Sequence, residues 1–274
     1  YVDGVTDLDN RQLRMIGDPE QRYREDPVRI LRAIRLSSKL GFNIEEQTAA
    51  PIKPLAQLLD SIPAARLFDE ILKMFFAGSS LQVFNSLQKY DVFKHLFPET
   101  AKELKHNEMA NKLLCLAFAS TDQRINDLKS VTPAFLLAAI LWPALQKIYK
   151  QNLNHKMPPM VAMHQAAQSV VSEQVNHISI PKRFSIPMRE IWEFQLRLPR
   201  LNRANTTITH KRFRAAYDFV LLREQSGEDL QGLGKWWTEY QEADLEQREK
   251  LLAPVKRGRR HSKSGRRRVK SAEK

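Results

Sequence analysis

From residue 24 to residue 35 the chain reads Arg24-Glu25-Asp26-Pro27-Val28-Arg29-Ile30-Leu31-Arg32-Ala33-Ile34-Arg35: an acidic pair, a proline, then arginines at every third position. A carboxylate accepts from an exocyclic amine, and a guanidinium donates a planar fork to ring nitrogens or carbonyls. Asp26 and Arg29, one helical turn apart, therefore have the chemistry to read the hydrogen-bonding edge of a nucleobase. The plainer reading is that Asp26 caps a helix and pairs with an arginine, an arrangement worth about 1 kcal/mol. Spacing alone leaves the two readings level.

The element that must hold these residues is a helix from about Pro27 to Leu40. Asp26 suits its N-cap, Pro27 its first position, and Gly41 its end. At 100° per residue Arg29, Arg32, Arg35 and Lys39 fall within about 120° of one another, and Ile30, Leu31, Ala33, Ile34, Leu36 and Leu40 take the rest. A solvated face is the bland account of such a stripe. It reads, however, as wholly basic with no acid at i±4, so it repels itself unless an anion lies nearby.

Helical periodicity dominates the remainder, glycine is scarce, and alternating β-branched runs are nearly absent, so the expected fold class is all-α. After a polar opening (1–23), amphipathic segments are expected at 65–78 and 80–99, the second stopped by Pro98. Others follow at 108–120, at 133–150 with a kink at Pro143, and at 159–177. The Pro-bounded 180–187 reads as a turn, with helices resuming at MREIWEFQLRL, at 210–224 and over 234–252. The expected organisation is a short opening remnant (1–17), a first helical region (18–105), a helical arm (106–252) and a tail (253–274).

The 274 residues carry a formal charge of +13, and 42 % of them are apolar, which excludes a wholly disordered chain. Residues 256–274 hold ten Lys or Arg against Glu273 alone; taking that +9 from +13 leaves +4 for the rest. The tail cannot bury anything and is expected to be disordered, adding salt-sensitive affinity for a polyanion, nucleic acid ahead of membrane. A single cysteine, Cys115, permits no internal disulfide and reads as core packing. With no membrane-length apolar run and no signal-like start, a cytoplasmic location is expected.

Other constellations add little. His155, His164 and His177 lack partners at ligand spacing, and no phosphate-loop glycine pattern or nucleophile motif is present. Trp236 and Trp237 point about 100° apart on a helix, so one ring is expected inward. Lys211, Arg212 and Arg214 flank an apolar helix and are candidates for phosphate contact.

Residues 11–42 resemble the neck segment of the bacterial poly(A) polymerase and CCA-adding tRNA nucleotidyltransferase group. Its EDxxR element is similar to Glu25–Arg29. Its RAxRF-like text is similar to Arg32-Ala33-Ile34-Arg35-Leu36, with Leu36 in place of Phe. The opening YVDGVTDL is similar to the family's GG-x-x-DL element, with Asp3 replacing the first glycine. Residues 62–99 look like the body helices, and IPKR, 211–224, KWW and the basic tail like the arm of the poly(A) polymerase branch.

The resemblance implies an adenylyltransferase that moves AMP from ATP to RNA 3′ ends, in polyadenylation and RNA decay, with Mg²⁺ held by head-domain carboxylates. It implies that Asp26 and Arg29 select the base, and that Arg32 and Arg35 touch triphosphate or RNA backbone. RNA would be bound by Lys39, Lys211, Arg212, Arg214, Arg259, Arg260, Arg266, Arg267 and Arg268. The partners implied are RNA 3′ ends, ATP and RNA-decay proteins, with no membrane. Because the sequence opens on Tyr1, the catalytic head is expected upstream and this chain alone is expected to be inactive. Asp3, Asp7 and Asp9 are read as turn formers in a loop, not metal ligands. The alternatives are a CCA-adding enzyme and a stand-alone helical RNA-binding protein.

Overall fold

A computed structural model describes residues 4–253, and the chain divides into two compact units, Tyr1–Arg189 and Glu190–Lys274. Asp3 and the basic run 254–274, Arg259, Arg260, Arg266, Arg267 and Arg268 included, lie outside the described residues.

The described part of the first unit opens on a helix, contrary to the polar loop expected there. Asp7 and Asp9 sit in helix α1 (Gly4–Asp9), and Arg14 clamps Asp7 at 3.0 Å. A two-residue strand β1 (Gln12–Leu13) pairs in parallel with β2 (Asn43–Ile44), the only ladder among the described residues. Helix α2 (Pro19–Glu25) begins where Asp18 accepts the Glu20 N–H, with Pro19 in a position that needs no donor. It is anchored by fully buried Tyr23, whose hydroxyl donates to the Thr48 carbonyl at 3.1 Å and is held protonated by burial.

Helix α3 (Val28–Leu40) follows as predicted. Asp26 Oδ1 accepts the Val28 N–H at 3.3 Å, the Arg29 N–H donates to the Asp26 carbonyl, and Gly41 ends the helix at φ +66°, where a side chain would be strained. Its core face carries Val28, Ile30, Leu31 and Ile34, all buried.

Short helices α4 (Glu46–Ala49) and α5 (Ile52–Leu55) and a 3₁₀ turn (Ala56–Ser61) lead to α6 (Ala64–Phe75). Leu67, Ile71 and Met74 of α6 face inward at i, i+4 and i+7. The single helix expected over 80–99 is three: α7 (Ser80–Lys89), α8 (Phe93–Leu96) and α9 (Pro98–Leu104). Asp91 breaks the run at φ +59°, and Pro98 opens a helix as readily as it stops one. Three long helices complete the unit: α10 (Glu108–Asn126), α11 (Pro133–Asn154), which continues through Pro143, and α12 (Pro159–Gln174). Phe75, Phe84 and Phe118 join α6, α7 and α10, the last ring 4.8 Å from each of the others. Cys115 is half-buried rather than fully packed.

The chain passes between the units within α13 (Lys182–Phe194). Most of the turn expected at 180–187 is therefore helix, from Lys182 onward. Pro181 precedes its first residue, and Pro187 forfeits one bond, to the Arg183 carbonyl. The second unit contains α14 (Ala204–Thr207), α15 (Phe213–Ser226) and α16 (Leu233–Glu242) around Phe194, Leu198, Phe213, Tyr217, Val220, Trp237 and Tyr240. Trp237 is fully buried and donates to the Leu198 carbonyl at 3.2 Å, while Trp236 is half-buried and stacked on Tyr240. The last helix expected, 234–252, is interrupted at Ala243 and Asp244 and resumes over 245–253.

Candidate nucleotide-binding site

The α2–α3 junction brings Asp26 and Arg29 close in sequence and space, but each is paired with another residue rather than with the other. Asp26 stands between the helices in extended backbone (φ −145°, ψ 93°), which frees its side chain from either helical barrel. Its Oδ2 accepts from Arg66 Nη2 of α6 at 2.9 Å, not from Arg29. Arg29 turns back instead. Its Nη1 donates to Glu25 Oε2 at 2.9 Å and to the Arg22 carbonyl at 3.0 Å. Arg29 thus does have an acid at i−4, and the stripe is not the wholly unpaired row the sequence reading assumed.

This geometry fixes both side chains. Arg29 is tied through one nitrogen, which leaves Nη2 and Nε of the fork uncommitted. Asp26 spends one strong bond on Oδ2 and one long one on Oδ1, so a carboxylate with about four lone-pair sites keeps acceptor capacity. Glu25 holds Arg22 (3.1 Å) as well as Arg29, and those two guanidinium hydrogen bonds hold its carboxyl below the ordinary glutamate range.

Farther along α3, Arg32 Nη2 lies 3.5 Å from Glu70 Oε1 of α6. Arg35 has its Nε buried with no hydrogen-bond partner, and Lys39 is exposed in the last turn. Asp26, Arg29 and Arg32 thus meet partners on α2 and α6, in one neighbourhood.

Lys211, Arg212 and Arg214 belong to the other unit. Arg212 is paired with Glu190, Arg214 with Asp218 at i+4 (3.1 Å), and Lys211 is exposed. Among the described residues no group of three or more His, Cys, Asp or Glu side chains comes together to hold a metal ion. None of their helices is long and apolar enough to cross a membrane.

The sequence reading missed Glu25 as a partner, although its spacing to Arg29 was visible. It also missed Arg66 and Glu70. Arg66 lies 40 residues from Asp26 in sequence, and only the packing of α6 beside α3 brings them together. Glu70 did carry a signal. It takes the i+3 position between Leu67 and Met74, a charge on an otherwise apolar face.

Comparison with known proteins gives this geometry a context. A family model described as a probable RNA- and SrmB-binding site of polymerase A matches residues 41–104, and one described as the polymerase A arginine-rich C-terminus matches residues 155–272. The Poly(A) polymerase I of Salmonella typhi is 40 % identical over 248 residues, covering 88 % of this chain and 53 % of the relative. A CCA-adding enzyme of Lactobacillus helveticus is 44 % identical over 81 residues, 30 % of this chain and 20 % of the relative. Among solved structures, a tRNA-processing enzyme with CTP aligns at a TM-score of 0.55 with 19 % identity, over 95 % of this chain and 68 % of that one; it shows likeness of fold. The chain spans about half the length of the polymerase relatives it matches, 53 % for the Salmonella protein.

Proposed function

The chain belongs to the bacterial poly(A) polymerase family, and from that premise we propose that its α2–α3 junction selects the base of ATP for template-independent addition of AMP to RNA 3′ ends. The observation that carries the reading is the pair of anchored groups: Asp26 braced by Arg66, and Arg29 braced by Glu25 with half its fork open. Adenine presents an amine donor beside a ring-nitrogen acceptor. Asp26 accepts from the amine and Arg29 donates to the ring nitrogen. Guanine and uracil present a carbonyl and an N–H at those places, so carboxylate would face carbonyl and guanidinium would face a donor. Each such reversal costs about 1–3 kcal/mol.

Residues 18–105 form the base-selecting and RNA-binding part in this reading, with Arg32 and Arg35 toward phosphate and Lys39 toward RNA. Residues 106–252 form the arm, on which Lys211, Arg212 and Arg214 approach RNA, and the arginines of 253–274 add salt-dependent attraction. Among the described residues no cluster of carboxylates fits a Mg²⁺ ion. RNA-decay proteins as partners and a cytoplasmic setting belong to the same proposal.

Cytosine offers the same amine and ring-nitrogen edge as adenine, and a CCA-adding relative matches part of the chain, so CCA addition is the second reading. Two features favour poly(A) synthesis: the extent of the match to Poly(A) polymerase I, 248 residues against 81, and the matching arginine-rich C-terminus. The test is product analysis of the full-length enzyme on RNA with ATP alone and with ATP plus CTP. Homopolymeric A tracts are expected. In Arg29→Ala, preference for ATP over GTP should fall about tenfold or more while RNA retention changes little. CCA addition confined to tRNA, or an unaltered base preference in the variant, would defeat the proposal.

A further inference from the structure

Glu70 has no role in base reading, yet it is 3 % exposed and carries a carboxylate into the apolar face of α6. Burying an ion there is costly unless it is paired. Both partners meet one oxygen: Lys73 Nζ lies 3.0 Å and Arg32 Nη2 3.5 Å from Oε1, while Oε2 is buried without a partner. One negative charge thus gathers two cations from different helices and neutralises only one of them. The cation side chains are half-exposed, 44 % for Arg32 and 56 % for Lys73. Arg32 makes an ion pair but no hydrogen bond, so its fork is unspent, and Lys73 retains two of three N–H donors. One turn along the same side of α3, Arg35 Nε is a further buried donor with nothing to bond.

We propose that Arg32 and Lys73, set in place by Glu70, form a phosphate subsite. The ligand is a phosphoryl oxyanion, from the triphosphate of the nucleotide or from the RNA backbone. A phosphate offers several acceptor oxygens to a region with spare donors and a residual positive charge. Lys73 and Arg32 touch the ligand, while Glu70 is a positioning residue that holds the two like charges side by side. The inference rests on the reading of the neck as the nucleotide site only for which phosphate arrives there.

The experiment uses the full-length polymerase and measures binding of ATP, adenosine and a single-stranded oligoadenylate to wild type, Lys73→Met and Lys73→Arg, with thermal melting as the control for folding. Lys73→Met should weaken ATP or oligoadenylate about tenfold, the scale of one charged hydrogen bond, and leave adenosine unchanged; Lys73→Arg should recover most of the loss. Loss confined to ATP identifies the triphosphate as the source. Loss confined to oligoadenylate, with the salt slope shallower by about one, identifies the backbone. Glu70→Gln, if folded, should reproduce the Lys73→Met pattern. A folded Lys73→Met that binds both phosphate ligands as wild type does, or that loses adenosine in equal measure, overturns the subsite. Wild-type preference for ATP over GTP is scored separately, so failure of base reading is distinct from failure here.

Discussion

Arginine–carboxylate pairs do opposite work in the two units. In the second unit Arg223 is buried, its side chain 9 % exposed, and its fork is consumed. Nε and Nη2 bond both oxygens of Glu228 at 2.8 and 2.6 Å, and Nη1 donates to Gln195 Oε1 at 2.8 Å. Gln195 in turn donates to the Ile191 and Ala216 carbonyls. At the α2–α3 junction of the first unit, Arg29, Arg32 and Arg66 each touch an acid but stay a third to nearly half exposed, with donors to spare. A saturated fork is scaffold. A braced, unsaturated one is available to a ligand. Counting ion pairs does not separate the two; counting unspent donors does.

The largest effect that tests this contrast is on stability. Arg223→Ala leaves the buried Gln195 Oε1 unpaired, while Glu228, about a third exposed, can turn to water; the variant should cost about 1–3 kcal/mol in chemical denaturation. Arg66→Ala removes a half-exposed partner of Asp26 and should cost no more than about 1 kcal/mol. Equal losses from the two variants would erase the distinction between scaffold and presented arginines.

A carboxylate can also be spent wholly on backbone. Asp122 of α10 reaches the start of α7 and accepts the N–H groups of Ser80 at 2.6 Å and Leu81 at 3.0 Å, acting as a cap supplied from 42 residues away. Asp122→Ala should destabilise the protein by about 0.5–2 kcal/mol and leave binding of ATP unchanged, read by melting and by titration. A change in ATP affinity at constant stability would move Asp122 from scaffold to site.

What was legible in the sequence follows the range of the physics involved. The all-α class, the start of α3 just after Asp26 and its end at Gly41 were readable because caps, proline and glycine act within one helical turn. The reading failed where a tertiary contact overrode the local signal. The polar opening folds because Tyr23 is drawn into a buried bond with Thr48, and 182–187 is helical because Pro181 lies before the helix and Pro187 forfeits only one bond. The capping position of Asp26 was legible, but not what braces Asp26 and Arg32, since Arg66 and Glu70 reach α3 only through packing. The unpaired stripe was a misjudgement of local chemistry, as Glu25 stood in plain view at i−4.

The smallest effect concerns that overlooked carboxylate, and pH isolates it. Hydrogen bonds from Arg22 and Arg29 depress the Glu25 carboxyl in the folded protein relative to the unfolded chain. The unfolded chain therefore takes up the proton first as pH falls. The stabilisation is complete above the ordinary glutamate value of about 4.3 and is lost as pH drops through the lower folded value. Glu25→Gln should therefore melt slightly below wild type at neutral pH, and the two melting curves should converge in acid as pH falls through the lowered folded value. The same protonation releases Arg29, so the wild-type preference for ATP over GTP should loosen in that acid range while Glu25→Gln shows the loosened preference at every pH. A base preference unaffected by Glu25→Gln would mean that Arg29 is positioned without its brace. In that case the contrast between anchored reader and saturated scaffold would rest on Asp26 and Arg66 alone.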